Sequence, residues 1–148
     1  MARPAIKSGA GSGPWAQGVK TVEAHVVAQM TAGSCVSATG EMITNGARTQ
    51  SELLGLIGDY PYPLELGRVL GPEWRGTFFE NGEAAIAQAS RGPMAATLMA
   101  PGAGSLHNVI LEPLGKGRFL VRDPWDGGSA YEVGVEWIGQ FVAAGVWK

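Results

Sequence analysis

One cysteine in 148 residues constrains this chain more than any other feature. Cys35 has no partner for an internal disulfide and no companions for a multi-cysteine zinc or iron–sulfur site. The fold must therefore be held by an apolar core, and the length is one domain's worth, enough to bury one. The cysteine sits in Gln29-Met30-Thr31-Ala32-Gly33-Ser34-Cys35, which runs into Val36-Ser37-Ala38-Thr39-Gly40-Glu41-Met42-Ile43. Val36, Thr39, Met42 and Ile43 recur at roughly helical spacing, Ser34 suits an N-cap and Gly46 a C-terminal stop. A small-residue turn thus delivers Cys35 to the start of a helix. The positive end of a helix dipole and its free backbone N–H groups favour thiolate over thiol, and the thiolate is the nucleophile. Six residues upstream, Gln29 offers a neutral amide donor that can fold back beside the sulfur. The competing reading is a small buried apolar cysteine in a structural protein.

The second half of the chain decides between them. Leu106-His107-Asn108-Val109-Ile110-Leu111 leads through Gly115-Lys116-Gly117 into Arg118-Phe119-Leu120-Val121-Arg122-Asp123-Pro124-Trp125. A histidine opens one strand, and a carboxylate closes its partner sixteen residues later. In an antiparallel hairpin those two ends lie side by side. Nucleophile, base and a group orienting that base are the parts that nucleophilic catalysis requires.

On these residues the chain resembles the papain-like cysteine peptidases, and within them the small bacterial branch of double-glycine leader peptidases and papain-fold toxin domains. The matching features are Gln29, Gly33-Ser34-Cys35, His107 with its apolar strand, and Asp123-Pro124 followed by Gly127-Gly128. The resemblance covers roughly Val22 to Lys148. Two departures are Val36, where many relatives carry an aromatic residue, and Asp123, where plant and lysosomal enzymes carry asparagine. The resemblance implies an α+β fold in which an N-terminal helix bearing the cysteine packs against an antiparallel sheet bearing His107 and Asp123. It implies catalysis by Cys35, His107 and Asp123, an oxyanion hole using Gln29, and a cleft lined by Ser34, Val36, Asn108 and Trp125. It calls for no cofactor and no metal.

Along the rest of the chain, residues 1–19 read as a flexible Gly/Ser/Pro leader or linker, and residues 20–148 as the catalytic domain. Met1 to Gln17 has no apolar segment of a secretory signal. No apolar run approaches the roughly 18 residues that cross a bilayer. A net charge of −2 gives no reason to expect nucleic acid or an anionic membrane as partner. Thr21 to Ala28 reads as an extended strand carrying His25, which precedes the cysteine and so falls outside the family's order. Thr49-Gln50-Ser51-Glu52 matches a capping box for a second helix ending at Gly58. Asp59 and Tyr60 read as turn residues, with substrate contact as the alternative. Pro61 and Pro63 break the chain before a helical turn or two over 64–70. A strand is expected over 74–79, an Asn81-capped helix to Ala89, and a buried strand over 93–99. The glycine-rich loop Pro101-Gly102-Ala103-Gly104 then precedes His107, where the resemblance implies part of the cleft wall. Asp126 rivals Asp123 but belongs to the turn. Ser129 to Val133 is read as the final strand, and Val135 to Ala144 as an amphipathic helix with Trp137, Ile138, Phe141 and Val142 inward.

The expected activity is cleavage of a protein substrate by acyl transfer through Cys35. The same triad serves a glutamine deamidase or transglutaminase when a side-chain amide is attacked, and a catalytically idle binding module is a third reading. The small size, the lack of membrane segments and the Gly-rich leader suggest a secreted or delivered effector or toxin acting in the cytoplasm of a target cell, for which the resemblance implies a cognate immunity protein plugging the groove; a cytoplasmic protein is the alternative.

Overall fold

The computed structural model describes residues 14–16, 18–99 and 106–148. Its elements are β1 (Lys20–Val22), α1 (Cys35–Ile43), α2 (Gln50–Ile57), α3 (Glu65–Leu70), β2 (Arg75–Phe78), α4 (Gly82–Ala89) and β3 (Met94–Leu98). Then come β4 (His107–Gly115), β5 (Arg118–Asp123), β6 (Ser129–Gly134), α5 (Val135–Phe141) and β7 (Val142–Trp147). Single 3-10 turns occupy Pro14–Ala16 and Trp125–Gly127. The strands form one sheet in the order β1-β6-β5-β4-β3-β7-β2, every pairing antiparallel.

Side chains alternate across a strand, so each central strand feeds two cores. Val109, Leu111, Phe119, Val121, Tyr131 and Val133 pack one face against α4 and α5 through Ala85, Ala89, Ile138 and Phe141. Ala95, Ile110, Ala130 and Val146 pack the other against Val36 and Met42 of α1, Leu53 of α2 and Leu66 of α3. β3 lies under both layers, which is why all five of its residues are buried. This is the expected α+β arrangement, with the cysteine helix laid on an antiparallel sheet.

Local signals worked where side chains cap helices. Thr49 accepts from the Glu52 N–H at 3.1 Å, and Asn81 accepts from the Ala84 N–H at 2.9 Å. Glu52 does not close the capping box, because its carboxylate pairs with Arg48.

Three expectations are corrected. The helix after Gly134 ends at Phe141, and Val142–Trp147 is a seventh strand between β3 and β2, so Ser129–Gly134 is not the last. Val-Ala-Ala-Gly-Val-Trp is short and apolar enough to suit either state. Pairing with two neighbours decided it, and a side chain at Gly145 would meet Met94 Sδ at 2.7 Å. Secondly, the strand expected over 21–28 is regular only from Lys20 to Val22. Thirdly, the packed region begins before residue 20. Residues 1–13 and 17 of the supposed leader lie outside the described residues, but Trp15 is buried in the first core at 5% exposure. A large apolar ring outweighs its Gly/Pro surroundings. The glycine-rich loop over 101–104 also lies outside the described residues.

Gly40 shows how closely α1 is seated. A methyl there would lie 2.3 Å from Leu53 Cδ1 and 2.8 Å from Leu66 Cδ1, both fully buried. Gly55, exposed on α2, has open space around it. Gly55→Ala is therefore expected to stabilise the fold by about 0.5–1 kcal/mol through helix propensity, while Gly40→Ala destabilises it by about 1–3 kcal/mol through overpacking. Urea unfolding of the two variants checks the opposite signs.

Candidate active site

Cys35 is the first residue of α1 and is half-buried. The loop before it is braced from three sides. Ser34 stands at the N-cap position but makes no side-chain cap bond. Its hydroxyl instead accepts from the Thr31 N–H at 3.0 Å and donates to Gln50 Oε1 at 2.9 Å. Gln50 also accepts from the Met30 N–H at 2.7 Å and donates to the Ala28 carbonyl at 2.9 Å. On the second side, the Thr31 hydroxyl bonds Asp59, and the Tyr60 N–H donates to the Gly33 carbonyl at 2.8 Å. The Tyr60 ring comes so near that a Cβ on Gly33 would sit 2.6 Å from it, so this turn requires glycine. On the third side, the Gln29 N–H donates to the Pro124 carbonyl at 2.8 Å, which joins the cysteine loop to the turn after Asp123.

The side-chain amide of Gln29 donates to the carbonyls of Thr31 and Ala32 at 2.9 and 3.0 Å. Its Oε1 is buried with no hydrogen-bond partner. Gln29 thus holds the turn that presents Cys35.

His107 opens β4 and Asp123 closes β5. Ile110 pairs with Arg122, so by the ladder His107 lies one diagonal step from Asp123, within reach on a common face. His107 Nε2 meets Asp123 Oδ1 at 2.6 Å. That leaves Nδ1 free of Asp123, and the Cys35 side chain beside the ring also favours its charged form. Burial opposes charge on the ring. The Asp123 carboxylate, by charge and by hydrogen bond, and the adjacent Cys35 outweigh it, and the His107 pKa is pushed up from 6.5 to about 10.

Asp123 is fully buried, and its acceptor capacity is met from three directions. Besides His107, Oδ1 takes the Trp125 N–H at 3.0 Å, and Oδ2 takes the Tyr131 hydroxyl at 2.8 Å. Burial, and then the neighbouring Asp123 charge, hold the Tyr131 pKa well above its usual value, so it stays a neutral donor. Two indoles enclose the imidazole. Trp15 stacks on it with centroids 5.5 Å apart and planes 16° apart, and Trp125 meets it edge-on at 6.4 Å and 87°.

The structure therefore brings Cys35, His107, Asp123, Ser34 and Trp125 together, with Gln29 on the loop between them. Val36 and Asn108 are not on the surface of this site. Val36 is buried in the α1 core, and Asn108 bonds Thr97 Oγ1 at 2.8 Å and Thr39 Oγ1 at 3.4 Å beneath it. His25 is exposed, and Asp126 is exposed in the 3-10 turn at φ 49°, neither of them bonded to His107. The sequence reading missed Gln50, Tyr131 and Trp15. Of these only Trp15 left a signal, as a lone bulky ring in a Gly/Pro stretch. A cleft of about 780 Å³ opens elsewhere, at the C-terminal end of α1, lined by Asn45, Arg48, Trp74, Arg91 and Lys148 among others, and holds none of these residues.

No protein-family model matches the chain, and no curated protein sequence does. Solved structures do match. The peptidase domain of Streptococcus ComA, a bi-functional ABC transporter involved in a quorum sensing pathway, superposes with a TM-score of 0.62 at 10% identity, over 82% of this chain and 95% of that one. A double glycine motif protease from an AMS/PCAT transporter, solved with its leader peptide, superposes with a TM-score of 0.59 at 15% identity, over 82% of this chain and 88% of the other. The chain has the papain-like cysteine peptidase fold, in the form found in double-glycine peptidase domains.

Proposed function

We propose that this chain is a cysteine peptidase acting on a protein substrate, with Cys35 as nucleophile, His107 as base and acid, and Asp123 as the group that orients the imidazole. The observation that carries the reading is the position of His107, held through Nε2 by a buried carboxylate and flanked by the Cys35 side chain. Nδ1 takes the thiol proton, and the thiolate attacks the scissile carbonyl carbon. The oxyanion that forms is met by the free N–H groups of the first turn of α1, that of Cys35 included, each donor worth on the order of 3 kcal/mol. Gln29 adds a further donor by turning its amide from the Thr31 and Ala32 carbonyls. His107 then protonates the leaving amine, the C–N bond breaks, and water hydrolyses the thioester to release the acyl fragment and restore the thiol. Its extension is a delivered effector, whose inhibitor would seal the groove over Cys35.

Iodoacetamide alkylation of Cys35, followed from pH 4 to 9, tests the pair directly. The expected result is fast reaction well below the ordinary thiol range near 8.5, slowed in His107→Ala. Peptide cleavage, assayed on a set that includes Gly-Gly segments, is expected to vanish in Cys35→Ala and to fall by about 10²–10⁴-fold in His107→Ala. An ordinary thiol profile with no cleavage of any peptide sinks the proposal. Glutamine converted to glutamate without chain cleavage would replace it with the deamidase.

The raised His107 pKa also has a sign in stability. The folded state binds this proton more tightly than the unfolded chain, so the contribution is complete below pH 6.5 and is lost as pH rises towards about 10. Urea midpoints are expected to fall between pH 7 and 10 in Cys35→Ala, and less steeply once His107→Gln is added. Equal slopes would show that the imidazole is not charged.

A further inference from the structure

We propose that Trp15, from the segment preceding the first strand, is a positioning residue for His107: its indole fixes the plane of the imidazole and favours the protonated ring. This deepens the peptidase reading and rests on it. The two rings lie nearly parallel, 16° apart with centroids at 5.5 Å, so the electron-rich face of the indole covers one face of the imidazole. A cation over an indole face within about 6 Å is attracted by the ring quadrupole, most strongly when water is excluded. Water is excluded here, since Trp15 is 5% exposed and His107 7%.

The indole is itself held. The Trp15 carbonyl accepts from Trp137 Nε1 at 2.6 Å, which anchors this short segment to α5. Trp125 closes a second side of the imidazole edge-on. Rotation of the imidazole about its χ2 bond would have to displace one of two packed indoles. The ring therefore keeps Nε2 on Asp123 and Nδ1 toward Cys35. Among the described residues, the titratable groups facing His107 are Asp123 from β5 and Cys35 from α1, with Tyr131 of β6 behind Asp123. Both indoles are uncharged, so their influence differs in kind from that of the carboxylate.

A merely structural Trp15 would fill the end of the core and nothing more. The two roles separate in the titration of His107, followed by NMR of its ring protons in the full chain carrying Cys35→Ala, where no thiol complicates the curve. Adding Trp15→Leu is expected to lower the titration midpoint by about one pH unit, the shift a desolvated cation–π contact gives. Trp15→Phe, which keeps a π face and is the milder change should the leucine variant fail to fold, is expected to lower it by less. In chains that retain Cys35, the alkaline limb of alkylation or cleavage should move down in the same order, while the acid limb stays. An unmoved His107 midpoint in both variants, or in the phenylalanine variant if that alone folds, overturns the proposal. Because that titration is read without Cys35, it stands or falls separately from the peptidase reading, which is decided by Cys35 alkylation and peptide cleavage in the unaltered chain.

Discussion

The carboxylate of Asp123 is the charge around which the rest of the site is arranged. It lies at 0% exposure and takes hydrogen bonds from His107, Trp125 and Tyr131. A buried carboxylate left short of partners costs several kcal/mol, so each of these groups must arrive in register. Tyr131 comes from β6, His107 from β4 and the Trp125 N–H from the following turn. The antiparallel order β6-β5-β4 is therefore more than a scaffold, since it is the arrangement in which one carboxylate can be satisfied from three neighbouring segments.

Cys35 reaches the imidazole by different physics. α1 is only nine residues long, too short to be stable alone in water, and its position depends on what it packs against. Two polar links fix it. Thr39, one turn along α1, meets Asn108, the residue beside His107, and Asn108 is held in turn by Thr97 of β3. Gln50 fixes the loop ahead of the helix through Met30, Ser34 and Ala28. Such buried polar bonds add little net stability but penalise any shift of the helix that would leave one unmade. They hold Cys35 in register with His107, where apolar contacts alone would let the helix slide.

What the sequence disclosed follows the range of each force. Cys35 at a helix start, the His107–Asp123 hairpin, and the Thr49 and Asn81 caps are local patterns, written within a few residues or across one tight turn. They carried the fold class and the grouping of Cys35, His107 and Asp123. β7 was not legible, because its apolar run suits helix and strand alike and only its place between β3 and β2 chooses. Trp15 and Tyr131 were not legible as site residues because their roles depend on meeting His107 and Asp123 across the sheet, 92 and 8 residues away in sequence. Val36 and Asn108 were read as cleft residues from their place beside Cys35 and His107. The next residue points about 100° away on a helix and to the opposite face on a strand, which takes both side chains off the site.

The unequal burial of Cys35, His107 and Asp123 governs how each can be probed. Cys35 is half-buried and begins a helix, so truncating it removes little packing and leaves no buried charge behind. Asp123 is the reverse. Removing its carboxylate strands the Tyr131 hydroxyl, the Trp125 N–H and an imidazolium that burial already opposes, and a lone buried charge costs about 3–5 kcal/mol when its partner is cut away. Such a loss is comparable to the whole stability of many small domains, so an inactive Asp123 variant would not distinguish lost chemistry from lost fold. His107 lies between them, because a neutral ring of similar size can still fill the space under Trp15. The chemistry is therefore best read from Cys35, the charge from His107, and the architecture from Asp123.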